Sequence, residues 1–127
     1  MCNAHRSHYS LSALILALAV AFIVRGQQEA DLTFDASVKK PAYTTTHPKV
    51  LIDEAHFNFH TAGGRYKPFA ELLTNDGYTV APNKERFSAG SLDRFAVLVI
   101  ANAAGGPAGG PDRSKPAFTN AECEAVR

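Results

Sequence analysis

The sequence predicts a three-layer α/β fold built on a parallel sheet. Two short apolar runs, Lys49 to Asp53 and Val97 to Ala101, are typical of strands that are buried on both faces. The chain between and around them reads as strand, helix, strand, short helix and strand, an order that favours parallel strands joined by right-handed crossovers. With 46% hydrophobic and 20% charged residues and a formal net charge of +1, the composition is globular and predicts no nucleic-acid partner.

The segment after the first strand predicts a helix. Phe69, Leu72 and Leu73 lie at helical spacing. Pro68 suits the first turn of a helix, and Gly77 suits the position just past its end. We therefore expect the helix to run from about Pro68 to the residues just before Gly77.

A second strand is predicted over Tyr78 to Ala81, where apolar and polar residues alternate weakly before Pro82. Because a proline has no backbone N–H to donate, this strand is expected near an edge of the sheet. A helical turn or two is expected between Phe87 and Phe95, ahead of the third strand.

The end of the chain predicts a glycine-rich loop and the start of a helix. The loop, Asn102 to Pro116, matches neither the dinucleotide fingerprint nor a Walker A motif. Thr119 and Glu122 form a capping-box pattern, which predicts that a helix begins there. Three strands with barely two full helices leave both faces of a parallel sheet partly uncovered, so we expect the domain to be truncated after the third strand.

The N-terminal residues predict export. The apolar run Leu11 to Val24 is shorter than the roughly 20 residues that span a bilayer and fits a signal peptide. We expect cleavage after Gly26, a periplasmic or secreted protein, and no stable membrane span unless the segment stays uncleaved. Cys2 leaves with the signal, so Cys123 has no internal disulfide partner and is expected to pack on a helix. The predicted regions are residues 1–26 as signal peptide, 27–47 as a tether and a loop leading into the domain, and 48–127 as the N-terminal part of an α/β domain.

Polar side chains cluster in the stretch "VLIDEAHFNFH", Val50 to His60. Its letters D-E-A-H match a helicase motif, but the sequence contains no Walker A loop, which excludes a helicase motor. In an open sheet of spatial order 2-1-3, ligands bind beyond the carboxyl ends of the first and third strands. The predicted ligand-binding residues are Asp53, Glu54, His56, Asn58, His60, Arg65 and Asn102.

Three interpretations of this cluster remain open. Asp53 and His56 are candidates for an acid–base pair in hydrolysis or group transfer. His56 and His60 are weaker candidates for metal ligands, because the H-E-x-x-H pattern is absent. The favoured interpretation is structural, with the histidines bonded to carboxylates or carbonyls and Asn58 bonded to the loop backbone. No cofactor is predicted.

The stretches "KVLIDEAHFNFHTAGGRYKPFAELLTNDGYTV" and "SLDRFAVLVIANA" resemble the opening of an uncharacterised family of exported bacterial proteins. The resemblance spans Lys49 to about Ala103 and implies a class I glutamine amidotransferase-like, or flavodoxin-like, fold with further elements after Arg127. The residues that carry it are Asp53, Glu54, His56, Asn58, His60, Arg65, Tyr66, Phe69, Gly77 and Tyr78. Cys123 does not match the strand-to-helix elbow that holds an amidotransferase nucleophile, so that activity is not expected.

The expected function is a ligand-binding or scaffold domain of the cell envelope, with a small molecule or an envelope protein as its partner. The alternative is a hydrolase or metal-assisted enzyme whose remaining catalytic residues lie beyond this chain. A second alternative is a truncated fragment without a function of its own.

Overall fold

The computed structural model describes residues 29–127, which form one three-stranded parallel sheet flanked by helices. The predicted signal peptide, residues 1–26, lies outside the described residues. Within residues 29–127, none of the helices is long and apolar enough to cross a membrane. The elements are β1 (Lys49–Asp53), α1 (Lys67–Asn75), β2 (Thr79–Asn83), α2 (Ala89–Leu92), β3 (Val97–Val99) and α3 (Asn120–Ala125).

The strand order is β2-β1-β3, and both neighbours of β1 run parallel to it. The α/β class and the 2-1-3 order predicted from the sequence are therefore confirmed. Leu51 at the centre of β1 is paired with Ala81 of β2 and Leu98 of β3. Because all three strands run the same way, their carboxyl ends meet at one edge of the sheet, where Asp53 pairs with Asn83.

The core is centred on β1, as its apolar run predicted. Val50, Leu51 and Ile52 are all buried, and Ile52 is completely so. Burial of each such side chain contributes about 1.5–3 kcal/mol to the free energy of unfolding. The middle strand β1 therefore pairs with both other strands through its backbone and supplies buried side chains to the core.

The third strand is less covered than the sequence predicted. We expected Val97 to Ala101 to be buried on both faces, but β3 ends at Val99, and Val97 and Ile100 are each 42% exposed. The reason is that β3 is an outer strand, and the short helices α2 and α3 do not reach across it. An open cavity of about 220 Å³ borders Val97, Leu98 and Val126 beside the end of α3.

The second strand lies at the edge of the sheet, as predicted, and extends two residues beyond Ala81 to Asn83. It includes Pro82, which is compatible with an edge strand because a proline has no backbone N–H for a further neighbour.

Helix α1 begins and ends as predicted, with Pro68 in its first turn and Gly77 just past its end. Residues 29–47, of which the sequence predicted a tether and a leading loop, form no helix or strand. They nevertheless contact the end of α1, where the Tyr43 N–H donates to the Asp76 carbonyl at 3.1 Å and the Ala42 N–H donates to its carboxylate at 2.8 Å. Asn75 adds a hydrogen bond of 2.9 Å to the Ala36 carbonyl.

Gly77 has a φ of +97° and lies directly against the backbone of Tyr43. In Gly77→Ala, the new Cβ would overlap the Tyr43 carbonyl oxygen, and the left-handed backbone would be strained as well. We expect the free energy of unfolding to fall by about 2 kcal/mol or more, measured by urea denaturation.

The matched control is Gly90→Ala in α2, where an added Cβ has open space around it. Since alanine is a better helix former than glycine, this variant should be as stable as the wild-type protein or slightly more so. Equal effects of the two substitutions would contradict the steric role of Gly77.

Candidate functional site

The carboxyl end of β1 places a fully buried carboxylate, Asp53, among hydrogen-bond donors. The His56 Nδ1 lies 2.9 Å from both of its oxygens, and the Asn58 and Asn83 side-chain amides donate to it at 3.0 and 3.3 Å. The Ala55 N–H adds a fourth donor at 3.2 Å. An ionised carboxylate accepts on both oxygens, so this surrounding set of donors suits the charged form of Asp53.

His56 is held between two carboxylates and is only 2% exposed. Its Nδ1 faces Asp53, and its Nε2 lies 2.8 Å from Oε1 of Glu122 in α3. An imidazole donates from both nitrogens only when it is protonated, so the geometry favours an imidazolium between two carboxylates. The rings of Phe87 and Phe118 lie against it, with centroids 5.0 and 4.6 Å from the His56 ring.

Glu122 completes the arrangement from the C-terminal helix. The predicted capping box is present, because the Thr119 N–H donates to Oε2 of Glu122 at 2.9 Å and Thr119 Oγ1 accepts from the Glu122 N–H at 3.3 Å. The same carboxylate also accepts from the Arg86 guanidinium at 2.9 Å and from the Phe87 N–H at 3.3 Å. Glu122 is therefore both a helix cap and a long-range contact.

Hydrogen bonding lowers the pKa of the Glu122 carboxyl group. Burial by itself raises the pKa of this carboxyl group. The hydrogen bonds from Thr119, His56 and the Phe87 N–H outweigh burial and lower the pKa from 4.5 to about 2. Glu122 is therefore ionised over the whole physiological pH range.

We call the connected set Asp53, His56, Glu122 and Arg86 the carboxylate–imidazole network. Two carboxylates alternate along it with an imidazole and a guanidinium, and its formal charges cancel when His56 is protonated. Of the six residues of α3, Glu122 is the only one that is buried. Cys123, which we expected to pack on this helix, is exposed instead, because the helix docks through its glutamate.

The loop after β1 is shaped by Asn58. Its Oδ1 accepts from the His56 N–H at 2.9 Å, and its Nδ2 donates to the Ala101 carbonyl at 3.0 Å beyond β3. Between these contacts, Phe57 adopts a φ of +49° and remains 52% exposed. A left-handed phenylalanine costs about 1–2 kcal/mol, so the surrounding hydrogen bonds hold this residue in a conformation that it would not adopt alone.

The structure brings together only some of the predicted site residues. Asp53, His56 and Asn58 belong to one hydrogen-bonded group, whereas Glu54 accepts from the Ala62 N–H at 2.8 Å and shapes the loop. Asn102 is exposed and has a φ of +51°, a conformation that asparagine tolerates better than most residues. It follows Ala101, the acceptor of the Asn58 amide.

His60 and Arg65 belong to a separate aromatic cluster. The His60 ring lies 4.8 Å from that of Tyr66, and the Arg65 guanidinium lies 3.6 Å from the centre of the Phe59 ring. Among the residues that the structure describes, the buried Nδ1 of His60 has no hydrogen-bond partner. Across residues 29–127, no three His, Cys, Asp or Glu side chains are grouped so as to hold a metal ion. Of the two weaker metal-ligand candidates, His56 faces carboxylates with both nitrogens, and His60 lies against Tyr66.

The crevice expected between β1 and β3 is largely filled by the chain itself. The Ala104 N–H donates to the His56 carbonyl at 2.8 Å, and Glu122 enters from α3. A cavity of about 100 Å³ remains beside them. It is lined by Ala55, His56, Phe57, Arg86, Ala104, Gly105, Pro116, Ala117, Phe118 and Thr119.

Sequence reasoning missed several residues of this site. Asn83 had a usable signal, since a polar residue at the end of β2 falls in register with Asp53. Glu122 was found as a helix cap, but its contact with His56 spans 66 positions and has no local pattern. No local pattern in the sequence linked Arg86, Phe87 or Phe118 to Asp53 and His56.

Comparisons of the chain with protein-family models, curated proteins and solved structures found no match. The function therefore has to be inferred from the geometry of the carboxylate–imidazole network and the cavity beside it.

Replacement of Glu122 tests whether the network holds α3 in place. In Glu122→Ala, His56 and Arg86 lose their shared carboxylate, and we expect the free energy of unfolding to fall by about 3–5 kcal/mol. Glu124→Ala, the same change two residues away, removes only an exposed pair with Arg127 and should cost no more than about 0.5 kcal/mol. Urea denaturation of both variants measures the difference; similar losses would show that Glu122 has no special role.

The lowered pKa of Glu122 predicts a specific pH dependence. Its charged form stabilises the folded protein at pH values above its ordinary pKa of 4.5, and that contribution is lost as the pH falls toward about 2. The difference in unfolding free energy between the wild-type protein and Glu122→Gln should therefore shrink from about pH 5 to about pH 2.

The comparison isolates Glu122 from other acids. Asp31 and Asp35 also have a lowered pKa, because the Thr33 hydroxyl and the Ser37 N–H respectively donate to them, but both proteins retain these residues. Urea denaturation at a series of pH values measures the difference, and a constant value over the whole range would refute the assignment.

Proposed function

We propose that the protein is a ligand-binding or scaffold domain of the cell envelope. The supporting observation is that both ring nitrogens of His56 are engaged, by Asp53 at 2.9 Å and by Glu122 at 2.8 Å. An acid–base catalyst needs a nitrogen within reach of a substrate proton. The imidazole at this strand end instead positions α3 against the sheet.

The cavity beside the network supports binding of a small ligand. It combines a charged group, Arg86, with the aromatic rings of Phe57 and Phe118. Binding sites commonly pair apolar walls with a few polar groups that orient the ligand. The partner in this proposal is a small molecule or an envelope protein.

Export forms part of the proposal. It rests on the apolar run Leu11 to Val24, which has the length and small-residue ending of a signal peptide. The periplasm or the extracellular space is the proposed location.

We further propose that the chain is the N-terminal part of a flavodoxin-like domain. The β2-β1-β3 order agrees with the first three strands of the flavodoxin order 2-1-3-4-5. The exposed Val97 and Ile100 would suit a further strand and helix beside β3. The resemblance of Lys49 to Ala103 to an exported amidotransferase-like family points the same way.

A hydrolase is the second candidate. The observation that favours it is the short contact between Asp53 and His56, since a carboxylate that orients an imidazole is a common element of hydrolytic sites. In this case the remaining catalytic residues would lie beyond Arg127, and Glu122 would have to leave His56 before a substrate could reach it.

One preparation tests both export and the absence of turnover. We would produce the full chain in a Gram-negative host and determine its intact mass in the periplasmic fraction. We expect a mature chain that begins at Gln27, whereas Leu16→Arg, which interrupts the apolar run, should leave the precursor in the cytoplasm. The purified protein should hydrolyse chromogenic esters, amides and glycosides no faster than Asp53→Asn does.

A precursor that stays in the cytoplasm without the Leu16 substitution would contradict export. Turnover by the wild-type protein that Asp53→Asn abolishes, with the variant still folded by circular dichroism, would replace the binding proposal with the hydrolase.

A further inference from the structure

We propose that His56, Arg86 and the backbone N–H of Phe87 form a binding site for a carboxylate group, which Glu122 fills in this structure and which a small carboxylic acid occupies when α3 is displaced. We call these three donors the carboxylate site. The proposal rests on the proposed ligand-binding function and names the chemical class of the ligand.

The donors of the carboxylate site are those that recognise carboxylates in proteins. The His56 Nε2, the Arg86 guanidinium and the Phe87 N–H lie 2.8, 2.9 and 3.3 Å from the oxygens of Glu122. Imidazolium and guanidinium donors form shorter and stronger hydrogen bonds to carboxylates than neutral donors do. None of the three belongs to α3, so all of them remain in the domain if that helix moves.

The carboxylate site is preorganised by residues outside α3. The Asp53 carboxylate contacts the ring Nδ1 of His56 and fixes the orientation of the ring, and the Asn58 side chain accepts from the backbone N–H of His56. Without Glu122, the formal charges of Asp53, His56 and Arg86 leave an excess of one positive charge. An anion in the place of Glu122 would balance this charge beside the buried His56 ring, and the Arg86 side chain, which is 68% exposed, is accessible to an incoming ligand.

The cavity of about 100 Å³ offers room for the body of a small acid. It lies directly beside His56 and Arg86, and its walls include the apolar rings of Phe57 and Phe118. Phe57 is held exposed at a positive φ, and strain of this kind tends to persist at functional positions. A carboxylic acid of a few carbons would place its charge on the donors and its chain against the Phe57 ring.

Helix α3 is suited to displacement because few of its side chains are buried against the rest of the domain. It has six residues, and Glu122 is the only one that is buried, while the neighbouring Val126 is 48% exposed. The segment that leads to it, residues 105–116, contains several glycines and prolines and no helix or strand. Within α3 a free carboxylate therefore competes with one buried side chain, Glu122, while the Phe118 ring just before the helix packs on Phe87.

The first experiment measures carboxylate binding to the vacant site. Purified Glu122→Ala is melted in formate, acetate or propionate and in chloride at equal ionic strength. At about ten times the Kd, we expect carboxylate to raise the Tm by roughly 5–10 °C relative to chloride. Addition of Arg86→Ala to this variant should abolish most of the rise, and Glu124→Ala alone, in which Glu122 still competes for the site, should show a much smaller rise.

The second experiment uses the protein with Glu122 in place. Cys123 is exposed and directly follows Glu122, so a fluorophore attached to it in the Cys2→Ser chain reports on α3. Titration with propionate should lower the fluorescence anisotropy in a saturable manner as α3 is released. Chloride at the same ionic strength should leave the anisotropy unchanged.

The outcomes separate cleanly. Saturable release of α3 in the Cys2→Ser chain supports the carboxylate site even if Glu122→Ala fails to fold. A response in Glu122→Ala without release of α3 in the intact site would make Glu122 a permanent part of the fold and overturn the proposal, as would no response in either. Turnover by the purified protein would instead refute the proposed function and leave carboxylate binding standing.

Discussion

The contact between the His56 ring and the Glu122 carboxylate is the interaction on which the rest of the site depends. It joins the end of the central strand to the last helix across 66 positions of the chain. The glycine-rich segment between them has no helix or strand of its own over residues 105–116. Glu122 is the one buried side chain of α3, so its contacts with His56, Arg86 and the Phe87 N–H are what fix the helix against the sheet.

A buried ionic contact of this kind adds little to the stability of the fold compared with an apolar contact of the same size, but it fixes the position of α3. Removing two carboxylates from water costs several kcal/mol each, and the cations beside them offset that cost only when every donor and acceptor is paired. Here Asp53 and Glu122 each accept several hydrogen bonds, and both ring nitrogens of His56 lie within hydrogen-bond distance of a carboxylate. An apolar contact would allow α3 to slide, whereas paired charges require one position.

Local patterns in the sequence were sufficient to predict the elements but not their docking. The apolar run of β1, the proline and glycine at the two ends of α1, and the capping box at Thr119 each act over a few residues, and all are confirmed. Three features depend on how elements that are distant in sequence pack together. They are the exposure of β3, the exposure of Cys123 and the contact of Glu122 with His56. For the same reason, the predicted site residues lie in two separate groups. The turn after Asn58 directs His60 toward Tyr66 and away from His56.

The carboxyl end of the sheet and the outer face of β3 differ in how they are covered. At the carboxyl end, the six-residue helix α3 has little apolar surface to bury, and its contact with the sheet is made by the carboxylate of Glu122. On the face of β3, Val97 and Ile100 remain accessible to whatever packs on them. The position of Phe57 at the rim of the charged end places the exposed aromatic ring where a ligand's apolar part would meet it once its carboxylate has taken the place of Glu122.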